Sequence, residues 1–230
     1  MRATALFFLY LLACLLLAAA LTPPLLQTGW LEFEPHRVPD PRTAGRFGEL
    51  AAKAAQYLVA GLLIGVLEET FFRGALFAAI RRRRPAASAI VWSALLYAAV
   101  HFLKPGALDP GQPAGWTATG RMVLDAFADA AAWKNLDSFV ALLLVGVFLG
   151  LVRERTGHIG WCIGLHAGWV LIIQLTRHLT NGNAGSPYAF LTGDYDGVIG
   201  WLAAGWLAVL SVGYWGSARR TGSRAAVREI

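Results

Sequence analysis

The stretch Gly61-Leu62-Leu63-Ile64-Gly65-Val66-Leu67-Glu68-Glu69-Thr70-Phe71-Phe72-Arg73-Gly74-Ala75-Leu76-Phe77-Ala78-Ala79-Ile80 decides how the rest of the chain is read. Its flanks are apolar enough for a membrane. A carboxylate near the middle of a bilayer costs several kcal/mol unless it is paired, protonated or in a water-filled cavity. Three ionisable groups within six residues therefore point to chemistry carried out inside a membrane.

The composition agrees. Of 230 residues, 57% are hydrophobic and 15% charged, against roughly 45–50% and about 25% in ordinary soluble chains. At about 20 residues per span, there is room for about six helices. The predicted fold class is all-α: a polytopic membrane helix bundle of about six transmembrane helices. The formal charge of +6 sits in clusters at Arg81–Arg84, Arg153/Arg155 and Arg219/Arg220/Arg224/Arg228. Each abuts the end of an apolar run. That is the positive-inside pattern, and it argues against a nucleic-acid partner; the expected partner is the lipid bilayer. The two cysteines, Cys14 and Cys162, both lie in apolar segments and imply no disulfide framework.

Outward from the quoted stretch, six apolar segments are expected. The first, 3–21, stops at Thr22-Pro23-Pro24 and reads as an uncleaved anchor; the competing reading is a signal peptide cut near Ala18-Ala19-Ala20. Residues 25–50 read as a loop with an interfacial helix. Segment two runs from Leu50 to the Arg81 cluster, longer than a perpendicular span needs. Segments three to six are 86–103, 139–152, 159–175 and 198–215, with a short amphipathic surface helix over 121–133. The domain reading is an anchor and external loop over 1–49, a helical core over 50–217 and a basic cytoplasmic tail over 218–230. With the arginine clusters inside, both termini are cytoplasmic and the 104–137 insert is external.

Two histidines lie in other apolar segments: His101, after Tyr97-Ala98-Ala99-Val100, and His166, in Trp161-Cys162-Ile163-Gly164-Leu165-His166. Glu69 and Arg73, four apart, share a helix face and can pair. Glu68 is rotated roughly 100° away. It is the better candidate for a reactive carboxylate, a general base for water. His101 can polarise that water or join Glu68 on a metal. His166 can do either, or donate to a developing oxyanion. Glu68, His101 and His166 together are also the ligand set of a catalytic zinc or other divalent-metal site. The chain lacks a His-Glu-x-x-His helix, and a metal-free base is favoured.

Glu68-Glu69-Thr70-Phe71-Phe72-Arg73 resembles the Glu-Glu-x-x-x-Arg motif of the CAAX protease and bacteriocin-processing (Abi) family. Tyr97-x-x-x-His101 resembles its Phe-x-x-x-His motif, and His166 the histidine of its His-x-x-x-Asn motif. Val170 stands where that Asn belongs, with Gln174 a more distant polar substitute. The resemblance implies a membrane-embedded endopeptidase acting on a peptide or membrane-protein substrate, in the bacterial inner (cell) membrane. It implies Glu68 activating water with His101, support from Glu69, Arg73 and Tyr97, and His166 assisting the oxyanion. The alternatives are a non-catalytic immunity or scaffold protein on the same fold, which Val170 favours, and a proton-coupled transporter, which would ordinarily show repeat symmetry.

Overall fold

The computed structural model describes residues 31–33, 44–103, 115–130, 135–182, 186–193 and 197–226. The expected first apolar segment lies outside these residues. Segments two to six each coincide with a helix. Strand β1 (Leu31–Phe33) is followed by α1 (Ala44–Glu69), a π-helical segment (Thr70–Leu76) and α2 (Phe77–Arg81). Then come α3 (Ala86–His101), α4 (Trp116–Ala130), α5 (Leu136–Thr156), α6 (Ile159–Leu179), strand β2 (Thr180–Gly182) and α7 (Trp201–Ala226). The protein is an all-α membrane protein. Among the described residues, Phe47–Arg81, Leu136–Thr156 and Ile159–Leu179 are long and apolar enough to cross a bilayer, and α3 is a shorter apolar helix.

Local chemistry sets the boundaries. Pro85, at φ −57° and ψ 157°, precedes α3 and ends the path that began in α1. Gly157, at φ +72°, stops α5, and its N–H reaches the Arg153 carbonyl at 3.0 Å. This is the left-handed cap that glycine accepts without a Cβ penalty. The loop expected over 25–50 is corrected twice. Leu31–Phe33 pairs antiparallel with Thr180–Gly182, and α1 has already begun at Ala44. A short ribbon depends on a partner about 150 residues away, which local patterning does not reveal. The surface helix begins at Trp116, earlier than expected, and α7 runs past Trp215 to Ala226.

The chain forms two compact units: residues up to Arg82 with Val152–Leu191, and Arg83–Leu151 with the residues from Thr192 on. In the first, α1 packs on α6. A Cβ on Gly61 would come within 2.9 Å of the Ala167 carbonyl, and one on Gly65 within 3.1 Å of the Ile163 carbonyl. The spacing Gly-x-x-x-Gly lets two apolar helices touch backbone to backbone, where packing rather than hydrophobicity drives association. The second unit repeats the device. A Cβ on Gly146 would come within 2.8 Å of Ala94, and one on Gly150 within 3.2 Å of Ile90. That unit also ties Ser138 Oγ to the Ile199 carbonyl at 2.6 Å. The outward face of α1 is apolar, with Leu63 64% and Leu67 73% exposed. Such a face belongs in lipid, and the protein is an integral membrane protein.

Candidate active site

Glu68 and Glu69 close α1, and the chain there leaves the α register. The Phe77 N–H bonds to the Phe72 carbonyl, five residues back. A π-helical segment, wider than an α turn, thus carries Arg73. Such segments recur at functional sites.

Arg73 Nη1 donates to Glu69 Oε1 at 3.0 Å, and both side chains are fully buried. His166 Nδ1 lies 2.9 Å from the same Oε1. A carboxylate accepts, so Nδ1 carries the proton and Nε2 is left to face elsewhere. It faces Glu68: Nε2 to Oε2 is 3.9 Å. Glu68 differs from its neighbour in access, its side chain being 29% exposed against none for Glu69. The Phe72 ring lies 5.8 Å from the Arg73 guanidinium carbon and adds a cation–π contact.

Four of the six residues singled out in the sequence therefore meet in the first unit: Glu68, Glu69, Arg73 and His166. Tyr97 and His101 belong to the second. There the two rings lie 4.5 Å apart, and His101 Nδ1 bonds to the Tyr97 carbonyl at 2.7 Å. A carbonyl only accepts, so the His101 Nδ1 carries a proton. Val170 lies in the α1–α6 seam, where a Cβ on Gly61 would approach its Cβ to 3.2 Å. Gln174 is half-buried on the same helix.

The bond from His166 to Glu69 was not expected from the sequence, and neither was Gly65. A Cβ at position 65 would sit 3.6 Å from the His166 Cβ. The bare glycine brings α6 close enough for the imidazole to reach Glu69, one turn further along α1. The Gly61-x-x-x-Gly65 spacing was its legible signal. Also unforeseen is Arg153, whose Nε donates to the Arg73 carbonyl at 3.1 Å.

Among the described residues, no three His, Cys, Asp or Glu side chains are grouped to hold a metal ion. Glu69 Oε1 is held by Arg73 and His166, and Glu68 and the His166 Nε2 face each other beside it in the first unit.

No curated protein and no solved structure matches the chain. Residues 50–172, more than half of it, match the family described as type II CAAX prenyl endopeptidase Rce1-like. That span begins early in α1 and ends in α6 just after His166, so it contains the acidic pair, Arg73, Tyr97, His101 and His166. With the acidic motif and both histidine motifs inside the matched residues, the chain belongs to the Rce1-like family of type II CAAX prenyl endopeptidases.

Proposed function

We propose that the protein is a glutamate-dependent intramembrane endopeptidase in which Glu68 is the general base. At the family level it is a CAAX-type membrane protease; the residue roles are the proposal. The supporting observation is the 3.9 Å between Glu68 Oε2 and His166 Nε2. That is too long for a direct hydrogen bond and suits two acceptors sharing one water, each at about 2.8 Å. A water donating one hydrogen to each would turn its lone pairs toward a substrate carbonyl.

Glu68 takes the proton as the water oxygen attacks the scissile carbonyl carbon. The C–N bond then breaks, and Glu68 returns the proton to the leaving amine. His166 keeps Nδ1 on Glu69 and presents Nε2 to the same water. Glu69 thus sets the tautomer and ring orientation of the histidine, as a carboxylate does behind a catalytic imidazole. Arg73 balances the charge of Glu69 and leaves Glu68 as the more reactive member of the pair. The substrate class is a prenylated CAAX-type peptide or a membrane protein, and the setting the bacterial inner membrane.

The test is Glu68→Gln in purified protein offered a farnesylated CAAX peptide. Turnover should disappear while the thermal midpoint stays within a few degrees of the parent, because shape is kept and the base is lost. A fully active Gln variant would rule out Glu68 as the base.

A further inference from the structure

A helix that returns from the i→i−5 register to i→i−4 passes over one carbonyl. Here the last π-register bond runs from the Phe77 N–H to the Phe72 carbonyl. The chain is α-helical again over Phe77–Arg81, and the α register takes residue 78 to the carbonyl of residue 74. The carbonyl between them is that of Arg73. It is the atom that Arg153, 80 residues later on the last turn of α5, reaches with Nε at 3.1 Å. Inside a membrane protein a carbonyl skipped by its own helix needs such a donor. Arginine suits the task because its guanidinium stays charged and its Nε–H is directional.

Glu154, the neighbour of Arg153, grips the same stretch of chain further along. Arg81 Nε and Nη2 donate to its carboxylate at 3.1–3.2 Å. That pair is solvent-exposed, with Arg81 46% and Glu154 33% accessible. Exposed ion pairs contribute little to stability. The Arg153 bond is different: it is part-buried and ends on the backbone of a residue whose side chain holds Glu69.

We infer that Arg153 is a positioning residue for the active site. Its bond fixes the π-helical segment, and so the place from which Arg73 holds Glu69, Glu69 holds His166, and His166 faces Glu68. Arg153 touches none of the reacting atoms; it acts through the Arg73 backbone. The inference rests on the roles of Glu68 and His166 proposed above, and its test stands apart from them.

The experiment compares full-length Arg153→Ala, Arg153→Lys and Glu154→Gln with the parent by two measurements. The first is amide hydrogen exchange over residues 70–78, which needs no substrate. Arg153→Ala should raise exchange there at least several-fold, Arg153→Lys less, and Glu154→Gln not at all. The second is turnover of a farnesylated CAAX peptide per folded molecule. Misplacing a site by about 1 Å costs up to about 100-fold, so kcat should fall about 10- to 100-fold in Arg153→Ala. KM should stay within twofold, Lys should restore part of kcat, and Glu154→Gln should match the parent. If the Ala variant does not fold, Arg153→Lys carries both measurements, with smaller shifts in the same directions. Unchanged exchange over 70–78, parental kcat, or a loss confined to KM would overturn the inference. Full activity of Glu68→Gln would remove the base assignment, and exchange over 70–78 would then decide by itself whether Arg153 holds the segment.

Discussion

Two adjacent glutamates have opposite surroundings, and the consequences are separable. Glu69 is fully buried, with Arg73 at 3.0 Å and His166 at 2.9 Å on one oxygen. Breaking a buried pair by removing one charge typically costs about 3–5 kcal/mol, because the other charge stays behind. Glu69→Gln should therefore lower the yield of folded protein and the denaturation midpoint in detergent. Adding Arg73→Met should recover part of that loss, since the stranded cation goes too. A double variant no more stable than Glu69→Gln would show that the pair is not the source of the cost. Glu68 is 29% exposed and lies 3.9 Å from the His166 Nε2; its Gln variant should keep stability and lose turnover. Elemental analysis of active protein bears on the same residues. Metal-free catalysis predicts full activity with less than about 0.1 zinc per chain, well below the one ion of a catalytic site. One tightly held zinc, with activity lost on its removal and restored on its return, would replace the general-base proposal.

At the level of the helices, glycine spacing sets how closely neighbours approach. Gly61 and Gly65 do this for α1 on α6, and Gly146 and Gly150 for α5 on α3. A valine at 61 or at 146 would push its Cβ against backbone or Cα atoms at 2.8–2.9 Å. Rigid backbone cannot swing aside as a side chain can, so each should cost about 1–3 kcal/mol. Gly205 is the control, because a Cβ there meets nothing within 4 Å. Gly205→Ala should hold stability or raise it by up to about 1 kcal/mol through helix propensity. Thermal unfolding of the three variants checks the order; equal midpoints would mean the seams tolerate expansion. The π-helical segment was illegible in advance: Arg73 marks Thr70–Leu76 as unusual for an apolar helix, but no residue there compels the wider turn.

For the molecule as a whole, the arginine clusters make the prediction. They predict both termini in the cytoplasm and the 104–137 insert outside. With Cys14 and Cys162 replaced, single cysteines at Ala114 and Ser223 should label from opposite sides of the membrane. Labelling of both from outside would refute that topology. Each compact unit carries one glycine seam and a different share of the residues singled out: the acidic pair, Arg73 and His166 in one, Tyr97 and His101 in the other. The sequence matches a membrane endopeptidase family over 50–172, a span that draws on both units.

Much of this was decided by one-dimensional information. Apolar run length set the helices α1, α3, α5 and α6, because a bilayer imposes a length and a composition that survive without knowledge of neighbours. The spacing of Glu69 and Arg73 placed them in reach of each other, because four residues along a helix is a local distance. The cost of burying charge singled out Glu68, Glu69, His101 and His166. What the chain could not reveal was which partner each would take. His166 meets Glu69 across 97 residues, Arg153 meets the Arg73 carbonyl across 80, and Leu31–Phe33 meets Thr180–Gly182. Those contacts depend on how closely helices pack and on a register change within one of them. Both are settled when side chains from distant segments compete for the same space and the same hydrogen bonds, and that competition exists only in the folded chain.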